Sequence, residues 1–318
     1  MIGPVQIRNF KSIRTAEFEA RRVNLFIGEP NTGKSNILEA LAFLSVGTLK
    51  NFKSIFRFRV IADLFYDQKV TNEIVVTAGE WQVAIKFGGA TYAGQFLRAG
   101  SAVAAFQMNH QGIQGFQEIQ QSPFRYYQFK ALDSFPNPKP GILSPPFGDN
   151  LATVLYSNEA LRKRIGDLIR SKGYRLQLKP TENELLIAKD VEDELYSYPW
   201  TSVSETLRRV VFFMAALETN RNSTLLLDEP EANTFPFYTA YLAERIALDE
   251  TNQFFLTTHN PYILSSVVGK TSVKDLAVFV ASMDGFCTKL KPVSVDGLSR
   301  ILDYGPDAFL NLDKLVAA

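Results

Sequence analysis

Apolar and polar positions alternate along the first part of the chain and recur at helical spacing along the last part. Val5-Gln6-Ile7-Arg8-Asn9-Phe10 alternates as an edge strand does, and Ala16-Glu17-Phe18-Glu19-Ala20 answers it. The run Val23-Asn24-Leu25-Phe26-Ile27 predicts a buried strand, and Asn36 to Leu44 predicts a helix with an apolar face. From about residue 54 to 130 the signal is mostly strand, at Glu73–Thr77, Trp81–Phe87 and Ser101–Gln107. These runs predict a small antiparallel sheet beside the main one. Residues 134–149 carry five prolines and read as loop; helices are expected at about 150–157 and 159–171, then a hairpin pairing Tyr174–Leu178 with Leu185–Ala188. From residue 202 the order is helix, strand, helix, strand, helix. Its strands, Ser223–Leu227 and Asn252–Thr257, are of the kind buried on both faces of a parallel sheet.

Gly28-Glu29-Pro30-Asn31-Thr32-Gly33-Lys34-Ser35 is a complete Gly-x4-Gly-Lys-Ser phosphate loop between the predicted strand and helix. The glycines let successive backbone N–H groups turn toward an anion, and the helix N-terminus adds its positive dipole. Lys34 is expected to reach the β- and γ-phosphates of ATP, and Ser35 to ligate Mg2+. The class is therefore α/β, a P-loop NTPase with a mixed sheet and helices on both faces, plus an antiparallel β subdomain and a small helical insert. The expected organisation is one unit over 1–318. It divides into a phosphate-loop lobe (1–130), an insert (131–200) and a second lobe (201–318).

Leu225-Leu226-Leu227-Asp228-Glu229-Pro230 is an apolar strand ending in two carboxylates, and strand ends in open α/β sheets face the ligand crevice. Asp228 is expected to hold Mg2+ and Glu229 to act as general base toward the attacking water. Phe255-Leu256-Thr257-Thr258-His259 repeats the pattern, which puts His259 within reach of the γ-phosphate or the water. Ser202-Val203-Ser204-Glu205 has the form of a capping box opening an apolar-faced helix, whose N-terminus could meet a phosphate on another subunit.

Composition adds bounds. The chain has 318 residues, 46% hydrophobic and 21% charged, with net charge +1, so no global field announces nucleic acid or membrane. Residues 1–60 nevertheless hold ten Lys/Arg against four Asp/Glu; such an excess is a candidate nucleic-acid face, and more commonly plain solvated surface. The single Cys287 excludes an internal disulfide and fits a reducing cytoplasm. The N-terminus shows no secretory hydrophobic region, and the strongest apolar run, Val210–Leu217, is far short of the roughly 20 residues of a membrane span. A cytoplasmic protein with no membrane partner is expected.

These blocks, in this order, resemble the ATP-binding-cassette ATPase heads of the chromosome-maintenance, RecF-like and overcoming-lysogenization-defect families. The carrying residues are Ile7–Ile13, Asn31–Leu41, Gly148–Leu151, Leu226–Asn233 and Thr257–Leu264. The resemblance implies nucleotide contacts from Lys11, Gly28, Asn31, Thr32, Gly33, Lys34, Ser35 and Asn36. It also implies a homodimer closed by two ATP molecules, each site completed by the partner's Ser202, Ser204 and Glu205. Ser204 departs from the family, standing where its signature carries glycine. Gln128 is the candidate for the glutamine that assists Mg2+. No acidic nuclease constellation follows residue 276, so cutting of DNA would need a separate nuclease or effector chain. The leading expectation is an ATPase coupled to a nucleic-acid transaction, in DNA repair or phage defence. A slow regulatory switch controlling an effector protein stays open, as does a small-molecule kinase using Arg162, Lys163 and Arg164. A transporter ATPase fits the opening block less well.

Overall fold

The computed structural model describes residues 1–119 and 121–316. β1 (Pro4–Phe10) and β2 (Ile13–Glu19) form an antiparallel hairpin, and β3 (Val23–Gly28) runs into the phosphate loop and α1 (Lys34–Ala42). After the one-turn α2 (Phe52–Ile55) come β4 (Ile74–Ala78), β5 (Trp81–Phe87), β6 (Tyr92–Arg98), β7 (Ser101–Asn109) and β8 (Gly112–Phe116). These strands and the first hairpin make a seven-stranded sheet in the order β2-β1-β4-β5-β6-β7-β8. Two expectations are corrected here. β1 is not an edge strand, since it pairs with both β2 and β4, and the antiparallel sheet is not small. Alternation of apolar and polar positions reports that one face is buried; it does not report a free edge.

The second half supplies β9 (Phe124–Tyr127), α3 (Leu151–Ser157), α4 (Glu159–Arg170), β10 (Arg175–Lys179), β11 (Glu184–Val191) and β12 (Glu194–Pro199). It continues with α5 (Glu205–Thr219), β13 (Thr224–Asp228), α6 (Pro236–Leu248), β14 (Gln253–Thr257), α7 (Pro261–Lys270), β15 (Leu276–Asp284), β16 (Cys287–Pro292) and α8 (Val295–Tyr304). The two helices and the hairpin of the insert lie where expected, with β12 as an additional third strand. The insert's last strand is exposed at nearly every position, so it carries little hydrophobic periodicity.

The main sheet runs β16-β15-β3-β14-β13-β9, with every neighbouring pair parallel except the β15–β16 hairpin. Successive side chains on a strand point to opposite faces, and both faces here are buried. Val23, Leu25, Ile27, Leu225, Leu227, Phe254 and Leu256 share one core with α5, α6 and α7. Phe26, Leu226 and Phe255 point the other way, into a core shared with α1 and the seven-stranded sheet. Phe26 stacks on Phe279, ring centroids 5.4 Å apart, and meets Phe18 of β2 edge-on. Helices therefore lie on both faces, with α1 sharing its face with the second sheet. This sandwich holds the carboxyl ends of β3, β13 and β14 together at one rim.

Candidate active site

At that rim, Gly28 and Gly33 adopt positive φ (146° and 89°), and so does Asn31 (61°). Space forbids a side chain at both glycines. A Cβ on Gly28 would fall inside van der Waals contact of the Ala281 carbonyl oxygen, and one on Gly33 would collide with the hydroxyls of Thr288 and Ser12. Gly28→Ala is therefore expected to cost roughly 2 kcal/mol or more through backbone strain and collision. Thermal unfolding should shift down and nucleotide binding should be lost; an unchanged melting temperature would contradict the packing of β15 on the loop.

Lys34 is buried, 4% exposed, and donates to the carbonyl oxygens of Gly28 (2.9 Å) and Glu29 (2.6 Å). Burial lowers its pKa, while Glu229, Asp228 and Glu29 oppose that shift. Thr32 closes the loop onto the Glu29 carbonyl (2.8 Å). α1 starts at Lys34 with no acidic residue in its first turn, so its free N–H groups and dipole are open to an anion. A cavity of about 390 Å3 lies over the loop, lined by Lys11, Ser12, Asn31 to Asn36, Arg57 and His259.

Beneath it, Ser35 Oγ donates to Asp228 Oδ1 (3.2 Å), and Thr257 Oγ1 donates to the same oxygen (2.5 Å). Thr257 also accepts from the Glu229 N–H (3.1 Å), binding the ends of β13 and β14 together. Glu229 has φ of 44°, a left-handed conformation that carries its carboxylate to 3.0 Å from His259 Nε2. Burial and the Lys34 cation lower the His259 pKa, against the pull of Glu229 and Asp228. This contact brings the imidazole and the Glu229 carboxylate together at the sheet rim. Gln128 follows β9 directly, one residue past the Leu227–Tyr127 pair, at the same strand end as Asp228.

Among the described residues, no group of three His, Cys, Asp or Glu side chains is placed to hold a metal. Ser35 and Asp228 offer hard oxygen ligands within one hydrogen bond of each other. That suits Mg2+, which prefers few protein ligands and completes its octahedron with phosphate and water.

Several contributors were not legible in the sequence. Glu39, 2% exposed, holds both Lys11 (in close contact) and Arg57 (2.7 Å), which aims two cations at the cavity. Its one sequence signal was spacing, four residues after Ser35 on a helix otherwise rich in apolar residues. Thr288, on β16, bonds Ser12 (2.7 Å) and the Thr32 carbonyl (3.0 Å), so residues beyond 276 wall the phosphate loop.

The Ser202 block is corrected in register. The helix begins at Glu205 and its N-cap is Ser204, whose Oγ accepts from the Leu207 N–H (3.3 Å); Ser202 lies in a preceding 3-10 turn. Val203, between the two serines, is buried. Ser202, Ser204 and Glu205 do not line this chain's own cavity, and Glu205 instead pairs with Arg209 (3.3 Å). Arg162, Lys163 and Arg164 lie on α4 and do not line it either. The basic excess of residues 1–60 is dispersed. Arg22 is buried on carbonyl oxygens of Ala247 and Asp249, Lys50 pairs with Glu118, and Lys11, Lys34 and Arg57 serve the cavity. Arg8 and Arg14 stay exposed beside a separate cavity.

Two family models match the chain, an AAA ATPase domain over residues 1–89 and an "AAA domain, putative AbiEii toxin, Type IV TA system" over residues 116–265. Comparison with curated proteins gave no match. The crystal structure of an Smc head bound to the C-winged helix domain of ScpA superposes with a TM-score of 0.54 at 14% identity, covering 94% of this chain and 99% of that one. A Pyrococcus furiosus-derived Smc head with an extended coiled coil, bound to the C-terminal domain of ScpA, gives 0.49 at 12%, covering 95% and 98%. Among the described residues, no helix is long and apolar enough to cross a membrane.

Proposed function

For a chain that has the fold of an Smc head and matches two AAA ATPase family models, we propose that it is an SMC/ABC-like ATPase head that binds Mg2+–ATP over the phosphate loop and hydrolyses it to ADP and phosphate. The observation that carries this reading is the convergence of Lys34, Ser35, Asp228, Glu229 and His259 at one sheet rim. Lys34, the α1 N-terminus and the loop amides hold the phosphates, helped by Asn31, Thr32, Gly33 and Asn36. Lys11 and Arg57 add positive charge at the cavity wall. Ser35 and Asp228, with Gln128 at the neighbouring strand end, would hold Mg2+, which neutralises phosphate charge. Glu229 takes the proton of the attacking water, and His259 holds the Glu229 carboxylate in place.

Homodimerisation on ATP follows from the same reading. Ser202, Ser204 and Glu205 do not line their own chain's cavity, which leaves this helix start available to complete a partner's site. Ser204 bears on the rate. Its Oγ is engaged in the helix cap and its Cβ stands where the family's signature has glycine, which favours slow turnover and keeps the regulatory switch as the second reading.

A cytoplasmic nucleic-acid transaction, in DNA repair or phage defence, is the proposed use of the cycle. Support for the nucleic-acid step comes from an open cavity of about 740 Å3 beside β1 and β2, lined by Arg8, Arg14, Lys69 and Lys86. The two lysines are paired to Asp67 and Glu73, which leaves the arginines to meet phosphates. The test is ATP hydrolysis by the purified chain with and without double-stranded DNA, with molar mass followed by light scattering. DNA-stimulated turnover and an ATP-dependent dimer are expected. The Arg8→Glu/Arg14→Glu variant should bind DNA at least about tenfold more weakly, with a shallower salt dependence and unchanged basal turnover. Tight ATP binding with negligible turnover and no response to DNA would replace this reading with the switch acting on a separate effector chain.

A further inference from the structure

The loop after β13 contains a carboxyl group that the hydrolysis scheme does not use. Glu231 is 4% exposed, three residues beyond Asp228 on the loop that carries Glu229, and meets the loop that carries His259. Its Oε1 accepts a close hydrogen bond from the Thr258 hydroxyl, and the carboxyl lies against the main chain of His259. Thr258 is fully buried. Its Oγ1 accepts in turn from the Asn260 N–H (2.9 Å), so one carboxyl anchors the backbone on either side of the histidine. Oε2 of Glu231 has no hydrogen-bond partner among the described residues. A buried carboxylate with one bare oxygen is costly, whereas a neutral acid is far less so.

We propose that Glu231 is a positioning residue for ATP hydrolysis: it braces Thr258 and His259 so that His259 Nε2 reaches Glu229. The inference rests on the reading of Glu229 and His259 as the hydrolytic pair. Thr257 ties the ends of β13 and β14 through Asp228 and the Glu229 N–H, and Glu231 forms a second tie between the same two loops, on the histidine side. Losing the first tie would disturb the Mg2+ ligand. Losing the second leaves the phosphate loop and Asp228 untouched and frees His259 alone. Burial, reinforced by the Glu229 charge, pushes the Glu231 carboxyl up to about 7, so the neutral acid, which a glutamine can copy, is a substantial part of the population near neutral pH.

The distinguishing measurement separates turnover from binding. Glu231→Ala is expected to lower kcat by roughly 10- to 100-fold, as loss of an orienting outer-shell partner does, with the ATP Kd within about twofold of wild type. Glu231→Gln keeps the acceptor for Thr258, and should restore kcat to within a few-fold. Thr258→Val removes the hydroxyl donor from the other side and should reproduce the alanine phenotype, which covers the case in which Glu231→Ala fails to fold. Unchanged kcat in both Glu231→Ala and Thr258→Val, a parallel loss of kcat and ATP binding, or a glutamine variant as impaired as alanine would each overturn the proposal. Failure of the underlying reading looks different: Glu229→Gln and His259→Ala would then leave hydrolysis intact.

Discussion

Replacing Glu229 with glutamine is expected to reduce ATP turnover by roughly 10²- to 10⁴-fold, the usual contribution of a positioned general base, while ATP still binds. The substitution is nearly isosteric. The amide can keep the contact with His259 Nε2, now 3.0 Å from the carboxylate, and the strained φ of 44° needs no change. What disappears is a group able to take a proton from water. Lys34, Ser35 and Asp228 do not contact the altered atom through any hydrogen bond, so the phosphate-binding half of the site stays intact. Steady-state phosphate release together with calorimetric ATP binding checks this. Turnover equal to wild type would remove Glu229 from the role of base.

Lys34→Ala should have an equally large effect at the binding step. The Lys34 ammonium is the buried cation of the loop and sits near the negative charges of Asp228, Glu229 and Glu29. Its removal leaves acidic groups facing a triphosphate with only the loop amides and helix dipole in opposition. Two charge-assisted hydrogen bonds are worth on the order of 3 kcal/mol together, so ATP affinity should fall by more than about 100-fold. The variant should also lose the tether that now closes the loop onto the Gly28 and Glu29 carbonyls. Titration calorimetry with ATP and Mg2+ is the measurement; affinity within a few-fold of wild type would overturn the assignment of the phosphate loop.

The parts of the site that could be read in advance are contiguous blocks whose chemistry is local. Gly28 to Ser35 is a strand–loop–helix unit, and Asp228-Glu229 and Thr257-Thr258-His259 are strand ends; each needs only its own neighbours to be recognised. The parallel strands β3, β13 and β14 were legible for the same reason, since burial on both faces leaves uninterrupted apolar runs. The cap of α5 was read two residues early because Ser202 and Ser204 both satisfy a capping pattern. The structure places the cap at Ser204, whose Oγ accepts from the Leu207 N–H. The size of the antiparallel sheet was missed because β6, interrupted by Gly94 and flanked by polar turns, alternates weakly, and because nothing local ties β1 to β4 across more than sixty residues.

The sequence alone determined the chemistry on offer: a phosphate loop, two carboxylates, a histidine and the α/β order that carries them. Tertiary structure decided which groups face that chemistry. Arg57 reaches the cavity through Glu39, Thr288 reaches the loop from 256 residues beyond Thr32, and Glu231 spans from the end of β13 to the end of β14. The first sixty residues show the reverse case, where a basic excess along the chain becomes separate buried, paired and exposed arginines in space. The physical reason is common to both. Propensity, periodicity and capping act over a few residues, whereas packing, desolvation and ion pairing depend on neighbours that only the closed sandwich of two sheets brings together.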